Sequence, residues 1–141
     1  MLIMPGLLWR EMEERTRRAL PGEACGLLLG FRRGNEIEIA ALASARNLAV
    51  DPTQSFELDP LDAMAAEDAA RGVGLAVVGV WHSHPRGPLD PSAADLAGRG
   101  EAWLTLIVVP QPKSGIQLSC WRNTSAGFEP VDVAQTLSTR G

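Results

Sequence analysis

A chain of 141 residues, 45% of them hydrophobic, has room for one compact domain with a substantial core and none for a second. Its net charge of -4, with the arginines dispersed rather than gathered in a stripe, argues against a nucleic-acid surface and leaves a basic protein as the charge-matched partner. No apolar run approaches transmembrane length, and the opening MLIMPGLLWREMEERTRR lacks the basic start and long apolar core of a secretory signal. The expectation is a cytoplasmic protein, away from membranes, with Cys25 and Cys120 reduced and packed in strands.

Gly6 to Leu20 sets Leu7, Leu8, Met12 and Ala19 against glutamates and arginines, which predicts an amphipathic helix bounded by Pro5 and Pro21, its charged face solvated. Glu23 then precedes ACGLLLGF, a compact apolar segment expected to be a buried strand, with glycines where neighbouring backbone passes close. In such a strand Glu23, Cys25 and Leu27 share a face. Arg32 to Asn35 is a turn leading into Glu36 to Leu42, where Ile37 and Ile39 alternate with acids as in a half-exposed strand, so a hairpin follows. A further strand is expected over Ala43 to Val50, a loop over Asp51 to Ser55 and a short strand over Phe56 to Leu58. Asp59 introduces a helix with Pro60 at its first position, running to Arg71 and closed by Gly72 and Gly74; its alanines allow close approach to a sheet.

The stretch Leu75 to Asp95, LAVVGVWHSHPRGPLDPSAAD, holds both histidines of the chain. Its valine-rich start is too short for a typical helix and predicts a strand buried on both faces, continuing through His84. Alternation then points His82 and His84 to one face, where two imidazoles can share a metal, and Ser83 to the other. Pro85, Gly87, Pro88 and Pro91 end the strand, and Ser92 to Asp95 look like the first turn of a helix. If that loop folds back, Asp95 completes a two-histidine, one-carboxylate site, whose open position suits catalytic rather than structural zinc. Ser92 and Asp95 also fit a capping box, in which each side chain bonds the other's backbone N–H. For a nearby carboxylate, the residues alone leave Glu23 and Glu57 as alternatives. Trp103 to Val109 and Ile116 to Trp121 are expected to pair as a hairpin through PQPKSG, with Trp81, Trp103 and Trp121 used for packing. The segment from Ser125 to Gly141 is the candidate flexible tail.

His82-x-His84, seven residues, Ser92, two residues and Asp95, with an upstream glutamate, resembles the motif of the JAMM (MPN-plus) metalloproteases. The flanking GEACGLLLG, RNLAVDPTQSFELDP and HSHPRGPLDPSAADL resemble the small stand-alone prokaryotic members, and no motif residue departs from the pattern. The resemblance implies a mixed α/β, α+β-like domain over residues 1–141: a single curved mixed sheet flanked by helices. It implies one zinc ion on His82, His84 and Asp95, selects Glu23 over Glu57 as the general acid–base group and assigns Ser92 to the oxyanion. The implied activity is hydrolysis of a peptide or isopeptide bond at the C-terminal tail of a ubiquitin-like or sulfur-carrier protein. Two other readings are carried beside it, a catalytically silent MPN-type scaffold and a nonheme iron oxygenase, since two histidines and a carboxylate also bind iron(II).

Overall fold

The computed structural model describes residues 1–92 and 103–136. In chain order the elements are β1 (Leu2–Pro5), α1 (Gly6–Ala19), β2 (Cys25–Arg33), β3 (Glu36–Ala45), α2 (Pro60–Gly72), β4 (Ala76–Ser83), β5 (Leu104–Pro110), β6 (Ile116–Thr124), β7 (Gly127–Val131) and β8 (Val133–Thr136). The strands form one sheet in the order β7-β6-β5-β4-β2-β3-β1-β8. β1 runs parallel to β3 and β8, and β4 parallel to β5, while the remaining pairs are antiparallel, so the sheet is mixed as expected.

One helix covers each face. On the α1 side, Met12 packs in a cluster with Leu28, Trp81, Leu104 and Leu106. On the α2 side, Ala66 and Ala70 meet Leu27 and Leu29, the close helix–sheet approach that the alanine pattern predicts. Asp59 caps α2 by accepting from the Leu61 N–H at 2.9 Å, with Pro60 at the first helical position. The β2–β3 hairpin turns at Gly34, whose φ of 61° favours glycine.

Three expectations are corrected. The strands expected over Glu36 to Leu42 and Ala43 to Val50 are a single β3 ending at Ala45. Leu29 pairs with Ala41 but Gly30 with Ile39, so Ala40 is an extra residue. This bulge shifts the buried phase from Ile37 and Ile39 to Leu42, a break that mimics a strand boundary. Phe56 to Leu58 makes only an isolated bridge between Leu58 and Asn47. The region expected to be a flexible tail carries β7 and β8, separated by Asp132 alone. β7 pairs with β6 and β8 with β1, which was not foreseen. This one extended segment therefore joins both edges of the sheet, and β6 and β8 come into contact. Curling the sheet in this way brings its two ends close together.

The charged face of α1 is also more than solvated surface. Glu13 and Arg17 pair at 2.9 Å, and Arg17 donates to the carbonyls of Gln111 and Gly115 at 3.0 and 2.9 Å. The Gly115 N–H in turn donates to Glu13 at 2.7 Å, so the pair clamps the β5–β6 turn. Arg17 and the Gly115 N–H hold the Glu13 carboxyl below its usual range. On the inner face, Thr16 is fully buried and its hydroxyl lacks a hydrogen-bond partner among the described residues. A buried hydroxyl left unpaired costs about 1–3 kcal/mol. Thr16→Val keeps the shape and removes that group, so it is expected to raise unfolding stability by about 1 kcal/mol, read as a higher urea midpoint at unchanged slope. A lower midpoint would show that the hydroxyl is satisfied in solution.

Candidate metal centre

β4 lies in the middle of the sheet, between β2 and β5, and Val80 to His84 are buried along its end. The imidazoles of His82 and His84 face one another, Nε2 to Nε2, at 3.1 Å. His82 is fully buried and His84 is 7% exposed. Nδ1 of His84 lies 2.7 Å from the Pro88 carbonyl. A carbonyl only accepts, so Nδ1 carries the proton and Nε2 presents its lone pair toward His82. Gly87, at φ 76°, makes the turn that brings Pro88 back, and its N–H donates to the His84 carbonyl at 2.9 Å. The ring of Phe56 stacks on His82 with centroids 4.3 Å apart and planes at 22°, limiting rotation of the imidazole.

Glu23 completes the group. One carboxylate oxygen of Glu23 and one ring nitrogen of each histidine lie within 4.8 Å of one another, all three residues being buried. Glu23 stands just before β2 rather than within it, and long-range bonds fix its backbone. Its N–H donates to the Pro52 carbonyl at 2.7 Å, and its carbonyl accepts from Asn47 Nδ2 at 3.1 Å. The next residue is clipped to β4: Ala24 N–H donates to Ser83 Oγ at 2.8 Å, and Ser83 N–H to the Ala24 carbonyl at 2.9 Å. Ser83 thus points away from the histidines, as strand alternation requires, and holds the glutamate segment from the opposite face. Asn47 is the central strut, since it also donates to Ser55 O at 3.0 Å and accepts from the N–H groups of Ala49 and Glu57, both at 3.0 Å.

Of the residues singled out in the sequence, Glu23, His82 and His84 come together. Ser92 is exposed and lines, with Glu23, His84, Thr53 and Pro88, a cleft of about 730 Å³. Asp95 and the helical turn expected to carry it lie outside the described residues. Glu57 is exposed and takes no part in the cluster. Asn47 and Phe56 were not singled out, although both lie in RNLAVDPTQSFELDP, one of the stretches that carry the family resemblance; by local chemistry alone Asn47 signals only a turn and a lone phenylalanine signals nothing. Cys25 and Cys120 are both buried and not joined in a disulfide, and burial pushes the Cys120 thiol up to about 12, far from a nucleophilic thiolate.

Donor chemistry fits a divalent ion of the zinc class. Two imidazole nitrogens converge beside a carboxylate, and a backbone acceptor orients one ring. The family model for prokaryotic homologs of the JAB domain matches residues 7–124. The chain belongs to that family. The JAMM resemblance of the sequence is thereby borne out. The chain is 36% identical over 75 residues to the desampylase of Haloferax volcanii, an alignment covering 53% of this chain and 52% of that protein. It is 32% identical over 95 residues to the probable TtuB-protein conjugate cleaving protease of Thermus thermophilus, covering 67% of this chain and 61% of the relative. The match thus spans about half to three-fifths of those relatives' lengths. A solution structure of a protein from Desulfitobacterium hafniense superposes with a TM-score of 0.88 at 28% identity, covering 98% of this chain and 94% of that one. The mixed α/β fold predicted for this JAB-domain chain therefore stands. Among the described residues, no helix is long and apolar enough to cross a membrane.

Proposed function

We propose that this JAB-domain protein is a zinc-dependent peptidase or isopeptidase acting at the C-terminal tail of a ubiquitin-like or sulfur-carrier protein. The observation that carries the proposal is the facing Nε2 pair at 3.1 Å with the buried Glu23 carboxylate beside it. Relatives named a desampylase and a conjugate-cleaving protease support the substrate class.

In this reading His82 and His84, with Asp95, hold the ion. Zinc bound there supplies an acidified water, its pKa lowered to about 7, and a polarising charge at the scissile carbonyl. Glu23 accepts a proton from the attacking water and returns it to the departing amine nitrogen. Ser92, on the wall of the cleft, donates to the developing oxyanion. It is not the nucleophile, because both histidines are committed to the ion and neither is left to act as its base. Pro88 keeps His84 in the tautomer that ligates, and Phe56 shields His82 from solvent.

The test combines zinc analysis with cleavage of two probes, a ubiquitin-like protein carrying a linear C-terminal extension and the same protein joined to a lysine peptide. About one zinc per chain is expected, with chelation lowering cleavage at least ~100-fold and added zinc restoring it. The iron oxygenase is supported instead if aerobically purified protein carries iron, and the silent scaffold if zinc-loaded protein binds the carrier but cuts neither probe. Cleavage indifferent to chelation overturns the metal assignment.

A further inference from the structure

The loop that follows β4 is tied to a strand two places away. Strand register sets His82, Ile107 and Ser119 side by side on β4, β5 and β6, so Ser119 stands on the same face of the sheet as the imidazoles. The Ser119 hydroxyl donates to the Leu89 carbonyl at 2.6 Å, and the Trp121 indole N–H donates to Ser119 Oγ at 2.9 Å. The direction of this chain is fixed by its ends. An indole N–H only donates and a carbonyl only accepts, so the serine's one hydrogen goes to Leu89 and one of its lone pairs to Trp121. Accepting from the indole polarises the hydroxyl and strengthens the bond that it gives. Trp121, read from the sequence as a packing residue, thus has a polar partner as well.

Leu89 follows Pro88 directly, and the Pro88 carbonyl lies 2.7 Å from His84 Nδ1. Three of the seven residues from Pro85 to Pro91 are prolines, without an N–H, so the loop has few backbone donors with which to hold itself in place. Its inner end is held: the His84 N–H donates to the Val108 carbonyl at 2.8 Å, and the Gly87 N–H to the His84 carbonyl at 2.9 Å. The loop then crosses β5, where a Cβ at Gly87 would lie 4.0 Å from Val109 Cγ1, and is caught on β6 by Ser119. Pro88 itself is exposed, so packing does little to fix its carbonyl. The tether on the next residue does.

We infer that Ser119, supported by Trp121, is a positioning residue for the metal centre: it fixes Leu89, and through it the Pro88 carbonyl that keeps the His84 proton on Nδ1 and presents Nε2 as the ligand atom. The inference rests on the zinc reading of the site, and Ser119 acts through Pro88 and His84 rather than on the substrate.

The zinc-loaded, full-length protein labelled with nitrogen-15 has two imidazoles, and His84→Asn identifies the His84 Nδ1–H resonance by its loss. Exchange of this proton with water reports the bond to Pro88, and competition with a chromophoric chelator reports zinc affinity. Ser119→Ala removes the hydroxyl, whereas Trp121→Phe keeps a ring and removes the N–H. Each is expected to speed exchange by roughly five-fold or more, and Ser119→Ala to weaken zinc binding by about 10-fold, the low end for loss of a group that orients a ligand. Ser119→Thr, which keeps the hydroxyl, should restore both. The proposal is overturned if Ser119→Ala or Trp121→Phe exchanges as wild type, if Ser119→Thr is as impaired as Ser119→Ala, or if only the urea midpoint falls. Chelator-treated protein separates this result from the zinc reading. If the wild type binds no zinc, that reading fails, and the exchange rates in the zinc-free protein still decide whether Ser119 orients His84.

Discussion

Glu23→Gln is expected to lower the cleavage rate by about 10²- to 10⁴-fold while zinc content stays at the wild-type level. The side chain keeps its size, and two bonds that place the residue are made by its backbone: the Glu23 N–H donates to Pro52 O and the Glu23 carbonyl accepts from Asn47. Glutamine therefore stands in the same place but cannot take up a proton from water. Single-turnover cleavage at matched zinc occupancy measures the loss directly, because it removes product release from the rate. Zinc content decides between two roles for a carboxylate lying within 4.8 Å of a ring nitrogen of each histidine. If the variant loses zinc, Glu23 is a ligand; if it keeps zinc and cuts at the wild-type rate, the proton passes elsewhere.

Gly26→Ala is expected to destabilise the fold by about 3 kcal/mol, more than any surface change. The added methyl would meet both the Ala43 carbonyl and the edge of Trp81, and backbone cannot yield as a flexible side-chain end can. β2 would have to separate from β3 and the Trp81 indole would have to shift as well, and Trp81 adjoins His82. Urea unfolding provides the measure, with Gly72→Ala as the control, since a Cβ there meets nothing within 4 Å and α2 gains a better helix former. Gly72→Ala should be neutral or stabilising by up to about 1 kcal/mol. Equal stability of Gly26→Ala and wild type would mean that the sheet relaxes freely at this position.

Much of the architecture follows from local pattern. The two-residue period of a strand alone sends His82 and His84 to one side and Ser83 to the other, and the structure has them so. The Asp59–Pro60 start and the alanine spacing define α2, and Gly34 defines the β2–β3 turn. These features were legible because each depends on neighbours within a few residues, where sterics and hydrogen-bond geometry leave few choices.

Other features depend on partners distant in sequence. β1 has four residues, too few for a period to emerge, and exists because Leu2 finds Ile37 on one side and Val133 on the other. The final segment carries weak hydrophobic alternation and becomes strand because it bridges two sheet edges. Glu23 and Glu57 have similar local surroundings, two acids beside apolar residues, and the residues alone could not rank them. Tertiary contacts separate them: Ser83 and Asn47 bind the Glu23 segment against β4, while Glu57 is left exposed. Thus residue order specifies which side chains share a face, through the fixed geometry of neighbouring peptides. Which carboxylate reaches that face, and which strands close the sheet, is decided by long-range pairing whose loop-closure cost and packing gain no short window contains.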